Sequence, residues 1–170
     1  YSLYSSPSEG YASRALEKTK AVFGVVTNVT DKEYFTNSFH LDVREKVTPF
    51  EKIDFEAPFH WIANAGHISY CELPDMKDNL QALESVWDYA VDKLDYFGTN
   101  VGIDKCHECG EVGDFNMIGD KYTCPSCGNT NADTLEVCKR ISGYLGNITQ
   151  RPVNKGKQHE FTLREKHLEG

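Results

Sequence analysis

Four cysteines in two tight pairs constrain this chain more than any other feature: Cys106-His107-Glu108-Cys109 and, further along, Cys124-Pro125-Ser126-Cys127. A C-x2-C…C-x2-C frame aims four thiolates at one point, and thiolates are the ligands a structural Zn2+ prefers. Four of them close the tetrahedron and leave no position for substrate, so the metal is a brace. Each pair is followed by a glycine, Gly110 and Gly128, which eases the tight loop. The segment around the frame, residues 99–132, is too small to bury a core without its metal, so zinc binding and folding are expected to be one event. His107 and Cys138 are the neighbouring alternatives as ligands. Four thiolates already fill the shell, and His107, placed between two of them, is expected to point away.

The two remaining cysteines, Cys71 and Cys138, sit in unlike surroundings, so the six together suit a reducing compartment better than a disulfide framework. Packing is the favoured role for both, over a redox role for Cys138. Charge is polarised: the chain carries a formal −8, yet residues 139–170 hold 7 Lys and Arg against 3 acidic residues. That basic tail is either a solvated terminus or a face for an acidic partner or phosphates. No uninterrupted apolar run approaches the roughly 20 residues of a membrane helix, and no secretory signal opens the chain. A soluble, cytoplasmic protein without membrane contact is expected. Neither G-x-x-x-x-G-K-[ST] nor G-x-G-x-x-G occurs.

Periodicity predicts a helix from Tyr11 to Lys20, then a strand within Val25–Val47 from the spacing of Phe35, Phe39, Leu41 and Val43. Pro49 and Pro58 bracket what reads as a connecting segment, and Phe59 to Leu73 reads as strand-forming. Residues 77–97 carry Leu80, Leu83, Trp87, Ala90, Val91, Leu94 and Phe97 at three- and four-residue steps. This predicts an amphipathic helix capped by Asp75 or Asp78 and closed by Gly98. Between the cysteine pairs, residues 112–117 and 121–123 are expected to pair as a hairpin around Gly119-Asp120.

A second motif, Arg140-Ile141-Ser142-Gly143-Tyr144-Leu145-Gly146, follows the cysteine frame. A radical on a backbone Cα is stabilised when that carbon becomes planar and the electron spreads into both flanking peptides, which a side chain would crowd. Taken with the upstream cysteines, the motif resembles the glycyl-radical loop of the anaerobic, oxygen-sensitive ribonucleoside-triphosphate reductases. Thr36-Asn37-Ser38-Phe39-His40, Phe55-Glu56-Ala57-Pro58-Phe59-His60, Asn64-Ala65-Gly66-His67-Ile68-Ser69-Tyr70 and Gly98-Thr99-Asn100 look like stretches of the same family, in its order. The resemblance covers nearly the whole chain and implies its C-terminal part. The implied fold is α/β: the C-terminal portion of the ten-stranded α/β barrel of glycyl-radical enzymes, with a small four-cysteine zinc-ribbon module. Residues 1–98 would form barrel strands and helices, 99–132 the zinc module, and 133–170 the radical loop and basic tail.

The same resemblance implies that the radical resides on Gly143, with Arg140 and Tyr144 supporting the loop. A partner enzyme using S-adenosylmethionine and an iron–sulfur cluster would install it. The radical would then generate a thiyl, on a cysteine contributed by an upstream part of the reductase, that attacks the ribose of a ribonucleoside triphosphate; the full-length enzyme would be a homodimer. Tyr144 stands where thiol-dependent members can carry cysteine, which tilts the reductant toward formate. Asn37, His40, Asn64 and His67 are candidates for lining a nucleotide pocket, with hydrogen-bonded core polar residues as the favoured account of them. Two rival readings remain: an autonomous subunit that supplies a fresh glycyl radical to a damaged enzyme, and a zinc-ribbon binding module. The acidic body argues against nucleic acid as a partner for the latter.

Overall fold

The computed structural model describes residues 1–5, 10–36, 39–151 and 153–168. The elements run α1 (Tyr11–Phe23), α2 (Pro49–Ile62), β1 (Ser69–Glu72), α3 (Leu80–Val91), β2 (Phe97–Asn100), β3 (Asp104–Cys106), β4 (Val112–Gly113), β5 (Asn116–Ile118), β6 (Lys121–Thr123), β7 (Leu135–Glu136), β8 (Cys138–Arg140), β9 (Leu145–Asn147) and α4 (Lys155–Thr162). They fall into two compact units. One comprises residues 1–8, 36–101 and 163–170, the other 9–35 and 102–162.

In the first unit α2 forms because its entry is chemically specified. Thr48 accepts from the Glu51 N–H through its hydroxyl at 3.2 Å, while the Glu51 carboxylate accepts from the Thr48 N–H at 2.8 Å. This reciprocal pair satisfies two of the donors a helix start leaves open, and Pro49 occupies the first-turn position where a missing N–H costs nothing. The expected connector between Pro49 and Pro58 is therefore helix, and the expected strand from Phe59 to Leu73 narrows to β1. Pro58 sits inside α2 and forfeits one backbone bond.

β1 and β2 pair in parallel, Ser69 opposite Phe97 through Glu72 opposite Asn100, with α3 as the connection. Ile53, Cys71, Leu73, Met76, Val86, Ala90 and Leu94 form the core between these helices and strands. α3 is shorter at both ends than its apolar period predicts. Asp75 spends its carboxylate on the Lys77 N–H at 3.0 Å, Asn79 caps the helix through Ala82 N–H at 3.2 Å, and Gly98 lies within β2.

The chain end returns to β1. His167 donates its N–H to the Glu72 carbonyl at 2.8 Å, and its Nδ1 accepts from the Glu72 N–H at 2.8 Å. Arg164 lies 3.7 Å from the Glu72 carboxylate, and Lys166 donates to the Leu73 carbonyl at 3.3 Å.

Across both units the expected strand within Val25–Val47 is absent among the described residues. Thr30 explains the start of that segment: its hydroxyl accepts from the Val26 N–H at 2.7 Å and donates to the Gly24 carbonyl at 2.9 Å, a local alternative to a ladder. Asn28 adds a left-handed residue with φ of 63°. The cysteine-rich part is a three-stranded antiparallel sheet ordered β4-β3-β7 plus the β5–β6 hairpin. That hairpin turns at Gly119-Asp120 as expected, but only from Asn116 onward, because Val112-Gly113 pairs with β3 instead. β8 and β9 form a separate hairpin.

Part of the basic tail is spent within the chain, while Lys155 and Lys166 stay exposed. Lys157 is fully buried against Glu160 at 2.5 Å, Lys139 is held by two carboxylates, and Arg151 donates to the Tyr144 hydroxyl.

Burial lowers the His167 pKa to about 4, with the Lys52 charge acting the same way. A histidine whose folded value lies below its ordinary 6.5 binds its proton more readily when unfolded, so stability is complete above pH 6.5 and falls as pH drops toward 4. Denaturant titrations at stepped pH should show this loss. The slope should be shallower in His167→Gln, whose amide oxygen still accepts from the Glu72 N–H.

Candidate metal centre and the hairpin beside it

Both cysteine pairs are built on one backbone pattern. In the first, Cys106 N–H donates to the Glu111 carbonyl at 2.9 Å and Gly110 N–H to the Cys106 carbonyl at 2.9 Å. In the second, Cys124 N–H donates to the Asn129 carbonyl at 2.9 Å and Gly128 N–H to the Cys124 carbonyl at 3.0 Å. Each turn is completed by a glycine in the left-handed region, φ 83° at Gly110 and 74° at Gly128, which a Cβ would strain.

The two turns face each other. Cys106 Sγ lies 3.7 Å from Cys127 Sγ, Cys109 Sγ lies 3.6 Å from Cys124 Sγ, and all four sulfurs fall within 4.8 Å of one another. Four sulfurs bound at about 2.3 Å around a tetrahedral ion stand about 3.8 Å apart, so these residues fit Zn2+. The Asn129 amide donates to Cys106 Sγ at 3.4 Å and is the leading reason that thiol is held down to about 6, which favours the thiolate a metal needs. His107 turns out to Glu136, 3.3 Å away, and takes no part.

A buried carboxylate joins this centre to the neighbouring hairpin. Asp104, fully buried, stands on β3 two residues before Cys106. It accepts from the Phe115 N–H at 2.7 Å, the Cys138 N–H at 2.8 Å and the Lys139 ammonium at 2.6 Å. Burial raises its pKa, and the Lys139 charge opposes that rise. Lys139 also reaches Asp114 at 2.6 Å, and the two carboxylates outweigh its own burial to keep it charged. Cys138 is thereby a packed strand residue whose thiol burial pushes up, and Cys71 is driven to about 12 in the other unit's core. Neither has a reactive thiolate.

Ile141 N–H donates to the Tyr144 carbonyl at 2.9 Å, directly beyond the last ladder pair, Arg140 with Leu145. Ser142 and Gly143 are thus the two residues at the hairpin tip. Ser142 is buried, with no partner for its hydroxyl, whereas Gly143 is exposed. Tyr144 is held from its own strand side: the Arg151 guanidinium stacks 5.1 Å from its ring and donates to its hydroxyl. Gly146 lets the strand pass over buried Ile141, because a Cβ there would lie 2.6 Å from Ile141 Cδ1. Sequence reasoning missed Arg151 and Asp104, for no local spacing links either to its partner.

Of the four pocket candidates, Asn37 lies outside the described residues. Asn64 is exposed, accepting from Leu3 N–H at 2.9 Å and donating to the Tyr1 carbonyl at 3.4 Å. His40 and His67 come together over Glu56, their rings 5.1 Å apart. The expectation of satisfied core polar residues fails at His67, which is 4% exposed with neither ring nitrogen hydrogen-bonded.

Residues 1–167 match the family model described as anaerobic ribonucleoside-triphosphate reductase. The chain is 52% identical over 168 residues to the protein of that name from Escherichia coli (strain K12), covering 99% of this chain and 24% of that protein. It is 48% identical over 167 residues to the one from Enterobacteria phage T4, covering 98% of this chain and 28% of the phage protein. A solved structure described as anaerobic ribonucleotide reductase superposes with a TM-score of 0.65 over 97% of this chain and 24% of that one; at 18% identity it speaks to fold alone. The chain thus spans about a quarter of the length of these relatives.

A metal-loaded chain should hold one ion through the thiolates, and Cys124→Ser should lose it, read by elemental analysis of protein purified without added zinc. Asp104→Ala should cost on the order of 3 kcal/mol, because Lys139 and two strand N–H groups lose a buried partner. Denaturant unfolding measures that.

Proposed function

The chain belongs to the anaerobic ribonucleoside-triphosphate reductase family, and we propose that it is the part of such an enzyme that stores the radical on Gly143. One observation carries this reading. The Arg140–Gly146 motif is a hairpin with Gly143 exposed at its two-residue tip, mounted through Asp104 on a four-cysteine centre. An exposed tip glycine can be reached by an activating enzyme, and its missing side chain lets Cα flatten when hydrogen is removed. Arg140 and Tyr144 hold the loop, the latter through Arg151. Zn2+ on Cys106, Cys109, Cys124 and Cys127 stiffens the base from which the hairpin projects.

In this reading, residues 1–98 contribute strands and helices to a ten-stranded α/β barrel, 99–132 are the zinc module, and 133–170 the radical loop and tail. The parallel β1–α3–β2 unit suits such a barrel. The whole enzyme reduces ribonucleoside triphosphates in an anoxic cytoplasm as a homodimer, and an S-adenosylmethionine-dependent iron–sulfur enzyme activates it. The thiyl cysteine is contributed by an upstream part of the reductase, and Cys71 and Cys138 serve as packing residues in this part. The alternative of a freestanding repair subunit is disfavoured by large apolar side chains left in the open, among them Trp61 at 87%, Phe23 at 72% and Val91 at 72% exposure.

Anaerobic incubation with the activating enzyme should give an electron paramagnetic resonance doublet from the single remaining α-hydrogen, collapsing when glycine is deuterated. Exposure of that sample to air should cut the backbone at Gly143 and leave a piece ending near Ser142. Gly143→Ala should show neither. A doublet followed by cleavage elsewhere would remove Gly143 from the role.

A further inference from the structure

We propose that His40, Glu56 and His67 form a second metal site, for a divalent first-row transition ion, separate from the four-cysteine centre and from the radical loop. Their donor atoms lie within 4.8 Å of one another, and all three residues belong to the first unit.

Three observations set this cluster apart from ordinary buried polar packing. His67 is 4% exposed, yet among the described residues both its ring nitrogens lack a hydrogen-bond partner. A structural histidine at that depth engages at least one of them, as its neighbour shows. His60, with its ring 4.6 Å from that of His67, has Nε2 3.0 Å from Ser69 Oγ and accepts from the Asp95 N–H through Nδ1 at 3.3 Å. His60 is therefore committed, whereas His67 packs edge-on against the Phe39 and His60 rings and keeps its nitrogens for the cluster.

Glu56, fully buried, is divided between its two oxygens. Oε1 is anchored by the Lys52 ammonium at 2.5 Å and the Leu41 N–H at 2.9 Å. Oε2 meets His40 Nδ1 at 3.4 Å, long for a hydrogen bond and open to a better partner. Lys52 thus fixes the carboxylate and leaves the second oxygen turned toward two imidazoles.

Two imidazoles and one carboxylate are the donor set of Zn2+, Fe2+ and related ions; hard Mg2+ and Ca2+ prefer all-oxygen shells. Nitrogen and oxygen donors of one tetrahedral ion stand about 3.4 Å apart, so small side-chain rotations close the cluster on a metal and leave a position for water. His40, with a side chain 21% exposed, provides the way in. The Lys52 charge weakens cation binding, so this site is expected to hold its ion less tightly than four thiolates do.

The test uses Co2+ as the probe on chain whose thiolate centre has first been filled with Zn2+. Equilibrium dialysis at millimolar Co2+ should load one further ion, with the visible d–d bands of low-coordinate Co2+ and no thiolate charge-transfer absorption. His67→Ala, and His40→Ala at the half-buried position where the fold tolerates change, should each weaken that uptake at least tenfold while melting with the parent's cooperativity. Cys124→Ser should lose the zinc and keep the cobalt, and Gly143→Ala should leave both unchanged, so the outcome is independent of the radical assignment. No further ion at millimolar Co2+ overturns the proposal. So does uptake equal in parent, His40→Ala and His67→Ala, which would be an adventitious surface ion only.

Discussion

The buried carboxylate of Asp104 is the interaction on which the cysteine-rich unit turns. A charged group at that depth is tolerated only when its oxygens are filled, and here an ammonium and two backbone N–H groups fill them. Those three donors come from Phe115, Cys138 and Lys139, so one side chain joins the strand that carries Cys106, the segment leading into β5, and the first strand of the Gly143 hairpin. Because the partners are bonded to the same carboxylate, the base of the hairpin cannot shift without exposing a buried charge. The four-cysteine centre and this carboxylate hold the two ends of the same short stretch of β3, at Cys106 and Asp104.

The other unit rests on a similar device used differently. Glu56 on α2 is buried with Lys52 one turn before it, an i,i+4 pair, and Leu41 N–H completes the shell of one oxygen. Burial pushes the Glu56 carboxyl up, but the His40 hydrogen bond and the Lys52 charge outweigh it and hold the group well below the ordinary carboxylate range. Burial, with the neighbouring His40 and His60 next, drives His67 down to about 4, so at neutral pH its ring is uncharged and offers one nitrogen lone pair. An ionised carboxylate beside the uncharged His67 ring is a polar island in a unit otherwise held by apolar packing. Such an island costs stability, and a ligand that used it would recover that cost.

Local chemistry was legible wherever it is set by residues close in sequence. The C-x2-C turns, their closing glycines, the β5–β6 turn at Gly119-Asp120, the helix beginning at Tyr11 and the apolar stripe of α3 all follow from spacing and conformational preference. Elsewhere two local signals compete. Pro49 and Pro58 signal breaks, but Thr48 and Glu51 spell a capping box that makes Pro49 a helix starter. The β-branched run after Gly24 suggested a strand, and the Thr30 hydroxyl instead closed a turn on Gly24 and Val26. Of the tail's positive charges, Lys139, Lys157 and Arg164 find carboxylates within their own unit, while Lys155 stays exposed.

The sequence by itself determined the metal-binding frame, the glycine motif and the family, because each depends on residue identity at fixed short separations. Tertiary structure alone decided which distant groups meet: Asp104 with Lys139, Arg151 with Tyr144, and His40 with Glu56 and His67. Those encounters depend on how strands and helices pack, and periodicity specifies which face of an element is apolar without specifying which polar side chain waits on the element opposite. Sequence pattern therefore names the chemistry, and packing decides whether a buried charge or an unsatisfied nitrogen stands beside it.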